Sequence, residues 1–533
     1  MNAASDAVAL SSAAITTAKA VLALLGAALL CVDLALSRRG RAQRLHRVRS
    51  GLLLATALAS ALAWLRFEPI EAWNRTHIWE LYHHALGAKY FEELGYTRLY
   101  DCTLIADFDA GFAIPPERRP VRRLATNQIE KGSVVLEQRD ACTSHFTPER
   151  WRLFQRDVAT LRAAVGERRW ASILTDHGFN ASPVWTLVGA TLVPSAPFDW
   201  PGLRRIARID LVLLGVAAAF AFRAFGLRAG STAVIFFGTH YLGEYAWVGG
   251  GFLRYDWLAL SVIGAALVWR GRLAAGGFAL TWATLVRVFP GFLVAAVAVH
   301  AAIDMARRRS WAIGAPHRRF AIGCLLGLAT LVPLSIAVTG RDAWPDFVAN
   351  SEKHLATPLL NFVGWKSVVA FDPATTAGIL RDTALADPYA TWHDAVRENF
   401  GRRRGVYIAG VVGFVALLGA ALARNPIAAA PLLGVGLVVI AAQIGSYYYA
   451  ILLGWGLLSA RFAVLGPALL LGSAASLGIA DAVTGSSDVV FTAQSALWTT
   501  FAFAATALCW RGSPNEAPTH VSARRFPGAE PRQ

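Results

Sequence analysis

The sequence predicts an all-α polytopic membrane protein with about 11 to 13 transmembrane helices and two large extracytoplasmic loops. Of its 533 residues 55% are hydrophobic and only 16% are charged, whereas soluble domains carry about 25% charged residues. Apolar runs long enough to be spans recur along the chain. Basic residues outnumber acidic ones by 51 to 35, but the arginines cluster at the ends of apolar runs. This pattern indicates membrane topology, and it predicts contact with membrane lipids and no nucleic-acid partner.

The positive-inside rule predicts which side of the membrane each end of these runs faces. Run 19 to 36 is followed by an arginine cluster from Arg38 to Arg49, which is expected in the cytoplasm. Run 51 to 65 then returns outward, so segment 1–65 is predicted to be an anchor and not a cleaved signal peptide. The remaining predicted units follow in order: loop domain 66–205, transmembrane bundle 206–338, second extracytoplasmic loop 339–404, C-terminal transmembrane helices 405–511 and cytoplasmic tail 512–533.

Apolar stretch 273 to 305 is predicted to be a hairpin of two shortened helices. Both of its ends meet basic turns, so both are expected on the same side of the membrane. The turn is Arg287-Val288-Phe289-Pro290, where proline ends the first helix. Broken apolar helices are tolerated where they line a cavity, so Arg287 is a candidate site residue near the extracytoplasmic face.

The five cysteines form no CxxC pattern, which gives no indication of a zinc cluster or a thioredoxin-type motif. Cys102 and Cys142 share the first extracytoplasmic loop. In an oxidising compartment they are predicted to form a disulfide, whose loop of about 40 residues would add roughly 4 kcal/mol of stability. If the loop faced the cytoplasm, two reduced thiols would be expected instead.

The first candidate site is the segment from Trp79 to Phe91, whose apolar positions have helical spacing and which Gly95 is expected to terminate. Glu80, His83 and His84 are predicted to share its polar face. A carboxylate beside a span is suited to general-base catalysis, with substrate-binding histidines next to it. The alternatives are a solvated helix face, or a metal site formed by His77, Glu80 and His84; HExxH is absent and no metal is required.

The second candidate is the glycine-rich turn Gly249–Trp257, which carries Arg254, Tyr255 and Asp256 as substrate-binding candidates. Glycines permit close approach of a ligand to the backbone. His240 and Glu244, one helical turn apart in the preceding apolar run, are further candidates because ionisable groups at membrane depth usually face a cavity. The alternative is an interfacial turn with an aromatic belt and one ion pair.

The third candidate is the segment from Asn361 to Ser367 in the second extracytoplasmic loop, which contains Asn361, Trp365 and Lys366. An arginine and a lysine that converge on one outer-leaflet pocket would bind a phosphate or diphosphate. Arg254, Arg287 and Lys366 are predicted to form such a pocket. The alternatives are a snorkelling arginine anchor and an ordinary loop lysine.

In this order the motifs resemble those of the GT-C glycosyltransferases, specifically the bacterial polyprenyl-phosphate-mannose-dependent mannosyltransferases. Glu80-Leu81-Tyr82 through Gly95 to Leu99-Tyr100-Asp101 resembles the acid-to-Leu-Tyr pattern of that family. The glycine-rich turn, the basic residue before Pro290 and the Asn361 segment follow in the family's order, over residues 70 to 370. The chain departs from the family in carrying Glu in place of the usual Asp, in a longer external domain and in an additional first span.

The resemblance implies a GT-C-like fold in the bacterial inner membrane, with the active site facing the periplasm. A polyprenyl-phosphate sugar would be the donor and a lipid-linked or envelope glycan the acceptor, with inversion at the anomeric carbon. Glu80, or alternatively Asp101, would take the proton, while the basic pocket stabilises the leaving phosphate. No cofactor is implied. The opposing classes are a lipid or glycan transporter or flippase, and a non-catalytic envelope-assembly protein.

Overall fold

A computed structural model describes residues 11–41, 43–112 and 114–512 of the chain. The architecture is almost entirely helical, as expected, because long apolar runs satisfy their backbone hydrogen bonds within each helix. The longer helices are Ser12–Arg38, His46–Trp64, Leu99–Asp109, Pro148–Arg162, Pro183–Leu192, Ile209–Thr239, Asp256–Trp269, Leu273–Val286, Gly291–Arg308, Ala315–Thr339, Ala343–Leu355, Ala390–Leu422, Leu465–Ala482 and Ser487–Arg511.

By length and composition, six helices of the described residues are able to cross a membrane, or seven if the bent pair His46–Trp64 and Pro69–Lys89 counts as one span. One of the six, Trp200–Thr239, contains a turn at Gly226. The chain therefore has a multi-pass membrane architecture. Several of the predicted spans are instead shorter apolar helices, such as Asp256–Trp269. Predicted run 446 to 460 is divided into Ser446–Leu452 and Leu453–Leu458. The total of 11 to 13 spans is consequently not confirmed.

The helix Ile209–Thr239 reverses direction at Gly226. This glycine has φ 81° and ψ 174°, which lie outside the helical region. Leu211 and Phe237 line the same pocket, although in a straight helix 26 residues would separate them by about 39 Å. The two halves therefore lie side by side, with Arg223 and Arg228 flanking the turn. A turn at this position is what the predicted runs 209 to 222 and 231 to 248 require.

The hairpin in stretch 273 to 305 is confirmed. Its helices are Leu273–Val286 and Gly291–Arg308, and Arg287 to Pro290 form the connection. By contrast, the helix Ala390–Leu422 begins well before residue 405, where the next span was predicted. The difference arises because the polar first turns of this helix continue directly into its apolar part.

Two segments outside the candidate spans meet each other. The first contains the antiparallel strands Pro120–Arg123 and Gln128–Lys131 and the disulfide Cys102–Cys142, which confirms the predicted pairing. In the second, Arg122 forms an ion pair with Asp387 at 3.3 Å, and Asn127 donates to Thr357 at 2.9 Å. A second small sheet pairs Phe362–Val363 with Ile444–Gly445. Arg122 and Asp387 also line one cavity.

Candidate active site

The helix that carries Glu80 contains a π-helical turn. Ile78–Glu80 is α-helical, Leu81–Leu86 is a π-helix, and Gly87–Lys89 is α-helical again. π-Helical turns are rare and occur frequently at functional sites. The predicted helix end is confirmed, since Gly95 ends the following short helix with φ 51°.

Glu80, His84 and Arg254 form a buried triad. Arg254 Nε lies 2.8 Å from Glu80 Oε2, as an ion pair whose angle falls outside hydrogen-bond geometry. His84 Nδ1 lies 3.2 Å from the carbonyl oxygen of Glu80 and 3.3 Å from its Oε2. Glu80 Oε2 is inaccessible to solvent, so an incoming hydroxyl has to approach Oε1.

The partners of His84 assign its tautomer. Its Nε2 lies 2.8 Å from Arg254 Nη1, and a guanidinium can only donate. The groups near its Nδ1, both from Glu80, can only accept. His84 is therefore neutral, with its proton on Nδ1: it accepts from Arg254 and donates to the main-chain carbonyl of Glu80, next to the Glu80 carboxylate.

Main-chain contacts hold Arg254 in place from the other side. The carboxylate of Asp210 accepts from the backbone N–H groups of Arg254 and Tyr255 at 2.9 and 3.0 Å. Trp185 Nε1 donates to the carbonyl oxygen of Leu253 at 3.0 Å. These hydrogen bonds connect the glycine-rich turn to two other helices. The backbone position of Arg254 is therefore fixed before any ligand binds.

Arg287 is a buried cation without a direct counter-ion. Its side chain is 8% exposed, and Nε and Nη2 have no hydrogen-bond partner among the described residues. Its guanidinium carbon lies 6.0 Å from the centre of the Trp185 ring, and that ring is 5.4 Å from His84. Asp256 interacts with it electrostatically but forms no direct ion pair. Because an uncompensated buried charge is costly, this arrangement suits an anionic ligand.

A cavity of about 700 Å³ adjoins the triad. Of the predicted site residues, the structure brings five to its wall: Glu80, His83, His84, Arg254 and Asn361. Arg287 does not line the cavity. It lies next to Trp185 and close to His84, which is one of the lining residues. The volume is in the range of about 300–1,000 Å³ that is typical of ligand sites. Of the three basic residues predicted to share one pocket, Arg254, Arg287 and Lys366, only Arg254 lines this cavity.

Other predicted residues lie away from this cavity. Asp101 pairs with Arg123 at 3.3 Å, and burial raises the pKa of Asp101 to about 6. Lys366 lies against the Phe400 ring at 4.9 Å, and Trp365 donates to the Tyr407 carbonyl. The structure thus does not place Lys366 on the wall that Arg254 lines.

The remaining candidates have structural partners. Glu244 forms an ion pair at 3.1 Å with Lys19 of the first helix. His240 packs between two phenylalanine rings, and Tyr255 packs against Trp64. Asp256 accepts from the backbone N–H of Trp257 at the start of its own helix.

Sequence reasoning missed a second carboxylate in the cavity. Asp176 accepts from Trp79 Nε1 at 2.7 Å and lies 4.0 Å from His83 Nε2, with its side chain 38% exposed. His83 Nε2 lies 2.7 Å from the Tyr100 hydroxyl. Asp176 follows the stretch Trp170 to Thr175, which contains no recognisable motif, so no local signal in the sequence could identify it.

Sequence reasoning also missed Tyr447 and Tyr448. Arg254 lies over the Tyr447 ring at 5.1 Å, and the two tyrosine rings are 4.4 Å apart. The three consecutive tyrosines Tyr447 to Tyr449 were a usable signal. They lie inside the apolar run 446 to 460, which the sequence predicts to be a span.

No group of three or more His, Cys, Asp or Glu side chains in the described ranges has an arrangement that could hold a metal ion. His77, Glu80 and His84 therefore do not form the alternative metal site. His77 instead accepts from the backbone N–H of Glu80 at 3.3 Å and caps the helix that carries it. In comparisons with known proteins, the chain matches no family model, no curated protein and no solved structure.

Proposed function

We propose that the protein is an integral membrane glycosyltransferase. It moves a sugar, mannose or another hexose or pentose, from a polyprenyl-phosphate donor to a lipid-linked or envelope glycan acceptor. The observation that carries this proposal is the position of Arg287, a buried cation without a counter-ion, beside the Arg254–Glu80 pair. These groups provide an anion site and a carboxylate within one region, which phosphate-leaving chemistry requires.

In the proposed reaction an acceptor hydroxyl attacks the anomeric carbon of the donor sugar. Glu80 Oε1 takes the hydroxyl proton while the new C–O bond forms. The bond from the anomeric carbon to the phosphate oxygen breaks, and its electron pair leaves with the phosphate. Arg254 and Arg287 stabilise the charge that develops on the leaving group, and His84 keeps Arg254 in place by accepting from it.

The proposed location is the bacterial inner membrane, with the cavity on the periplasmic side. The Cys102–Cys142 disulfide supports this side, because disulfides persist in oxidising compartments. The arginine cluster that follows the first helix supports it as well, because it would lie on the opposite, cytoplasmic side.

The test is mass spectrometry of lipids that copurify with the protein. Glu80→Gln removes the proton acceptor but keeps the shape, so this variant should retain a polyprenyl-phosphate sugar. Arg287→Met should lose that lipid, and Arg341→Met, which changes an exposed arginine, should retain what the wild type retains. The proposal fails if no polyprenyl-phosphate sugar copurifies with any variant, or if Arg287→Met retains as much as Glu80→Gln.

A further inference from the structure

One carboxylate of the cavity wall has no cationic partner. Of the described residues, three carboxylates and three arginines line the cavity: Glu80, Asp176, Asp387, Arg122, Arg169 and Arg254. Glu80 pairs with Arg254 at 2.8 Å. Asp387 pairs with Arg122 at 3.3 Å. Asp176 forms no ion pair with an arginine or a lysine of the described ranges, and its side chain is 38% exposed.

The indole of Trp79 holds the Asp176 carboxylate in position. Trp79 Nε1 donates to Asp176 Oδ2 at 2.7 Å, and the backbone N–H of His177 also favours the ionised carboxylate. A carboxylate has about four acceptor sites, so these two donors leave part of its capacity unused. Trp79 immediately precedes Glu80 in the chain. An oriented, ionised acceptor therefore lies one side chain away from the proposed base.

His83 lies close to Asp176 but does not use this capacity. His83 Nδ1 lies 2.8 Å from the carbonyl oxygen of Trp79, which can only accept, so Nδ1 carries a proton. The Tyr100 hydroxyl accepts from the Gly178 N–H at 2.8 Å, so its own proton is donated to His83 Nε2 at 2.7 Å. His83 is therefore neutral and directs no N–H at Asp176, whose remaining acceptor sites face the cavity.

The rest of the wall favours a neutral ligand that carries hydroxyl groups. Aromatic side chains line the cavity: Trp79, Trp247, Tyr389, Trp392 and Tyr447. Small-molecule sites combine such apolar surface with a few placed polar groups. The formal charges of the three arginines and three carboxylates cancel, and His83 and His84 are neutral, so the wall has no net charge that would attract an ammonium group. A sugar ring offers an apolar C–H face to an aromatic ring and adjacent hydroxyls to a carboxylate.

We propose that Asp176 is a specificity-determining residue that accepts hydrogen bonds from hydroxyls of a neutral sugar ring bound beside Glu80. Trp79 is a positioning residue, because its indole N–H sets the orientation of the carboxylate. A site built to bind a hydroxyl rejects an analogue without it, because the acceptor then loses its partner. The inference rests on the proposed function and deepens it by assigning the group that distinguishes one sugar from another.

The experiment measures binding of methyl glycosides to the protein in nanodiscs by saturation-transfer NMR. The probes are the methyl glycosides of mannose, glucose, galactose and arabinose, together with the monodeoxy analogues of the tightest binder. All proteins carry Arg287→Met, so that no donor lipid should occupy the cavity. With Asp176 present, at least one monodeoxy analogue should bind at least about tenfold more weakly than its parent, because a hydrogen bond to a charged acceptor is lost.

Asp176→Ala should bind that analogue and its parent within about threefold of each other, because the group that distinguishes them is absent. Trp79→Phe, which keeps an aromatic ring but removes the N–H, should reduce the discrimination in part. Asp140→Ala is the matched control, since Asp140 is an exposed carboxylate that does not line the cavity, and it should discriminate like the parent protein.

Three results would overturn the proposal. The first is that no methyl glycoside binds the protein. The second is that Asp176→Ala weakens the parent glycoside and its analogue equally, which would assign Asp176 a structural role. The third is a preference for methyl glucosaminide over methyl glucoside that Asp176→Ala abolishes, because Asp176 would then bind an ammonium group.

These binding measurements require neither a donor lipid nor sugar transfer. Failure of the proposed function would show as the absence of a copurifying polyprenyl-phosphate sugar, while the discrimination between glycosides by Asp176 stays intact. Failure of this inference would leave the copurified donor unchanged while Asp176→Ala discriminates like its control. The two outcomes are therefore distinguishable.

Discussion

Arg254 Nε lies 2.8 Å from the Glu80 carboxylate, and the two side chains are only 5% and 13% exposed. The residues are far apart in the sequence, and each has additional contacts: the main-chain carbonyl of Glu80 accepts from His84 Nδ1, and the Asp210 carboxylate accepts from the backbone N–H of Arg254. Substitution of either residue of this buried ion pair is expected to be destabilising, because removal of one partner leaves the other charge uncompensated.

Replacement of Glu80 by Gln should reduce the proposed sugar transfer at least about 100-fold, because the proposed proton acceptor is lost. It should also destabilise the protein by about 3–5 kcal/mol, because Arg254 loses its counter-ion. Turnover and thermal unfolding of the same preparation separate the two effects. Glu398→Gln, at an exposed ion pair, should change neither quantity. Full turnover by a folded Glu80→Gln protein would exclude Glu80 as the base and favour Asp176.

Replacement of Arg287 by Met should raise the thermal stability of the lipid-free protein and abolish stabilisation by the proposed polyprenyl-phosphate donor. A buried cation without a counter-ion costs free energy, and methionine of similar length removes that cost. The measurement is Tm with and without the copurified lipid. Arg287→Lys should restore only part of the donor effect, because lysine cannot grip two oxygens. A large loss of Tm in the lipid-free Arg287→Met protein would mean that Arg287 has an essential structural partner.

Replacement of Lys366 by Met should affect donor binding much less than Arg287→Met. Lys366 lies over the Phe400 ring, whereas Arg287 lies beside Trp185 and close to His84, a residue of the cavity wall. Binding of the same lipid to both variants is the direct comparison. An equally strong effect of the two substitutions would restore the pocket of three basic residues that the sequence predicts, and would require Lys366 to reorient when the donor binds.

Removal of the Cys102–Cys142 disulfide should destabilise the segment that contains it by roughly 4 kcal/mol, the value for a loop of about 40 residues. Cys142→Ser tests this in chemical or thermal unfolding followed by the fluorescence of the local tryptophans. Cys31→Ser, which changes an exposed free cysteine, is the control. Identification of the linked peptides by mass spectrometry without reduction is an independent check, and two free thiols would contradict both the bridge and the proposed topology.

Acidification should loosen the contact between the segment that carries His177 and the helix Ala343–Leu355, which carries His354. The His177 and His354 rings are 5.9 Å apart, and burial lowers the pKa of His177 to about 4 and that of His354 to about 3. A lowered pKa means that the folded state binds fewer protons than the unfolded state. The stability contribution is therefore complete above pH 6.5 and decreases as the pH falls toward 4.

The charged and titratable groups around this histidine pair are Arg122, Asp176, Lys353, Asp387 and His393. Tm should fall by several degrees between pH 7.5 and 5, and His354→Gln should reduce that fall. His46→Gln, at an exposed histidine, should leave the pH profile unchanged. An unaltered profile in His354→Gln would show that the acid sensitivity arises elsewhere.

The sequence by itself determined the features that depend on neighbouring residues. Long apolar runs produced the helical membrane architecture, Pro290 ended the first helix of the hairpin, and Gly95 ended the helix after Glu80. The disulfide followed from placing both cysteines in one loop on one side of the membrane. These features could be predicted because backbone conformation and hydropathy act over a few residues at a time.

The tertiary structure decided which charges meet. Glu244, predicted to face a cavity, pairs with Lys19 on a helix that no sequence pattern connects to it. Asp176 and Tyr447 reach the cavity from segments without a recognised motif, while Lys366 and Asp101 do not line it. The physical reason is that an ionisable side chain pairs with whichever counter-charge or aromatic ring tertiary packing brings within a few ångströms. The local periodicity of the sequence does not show which distant segments pack together.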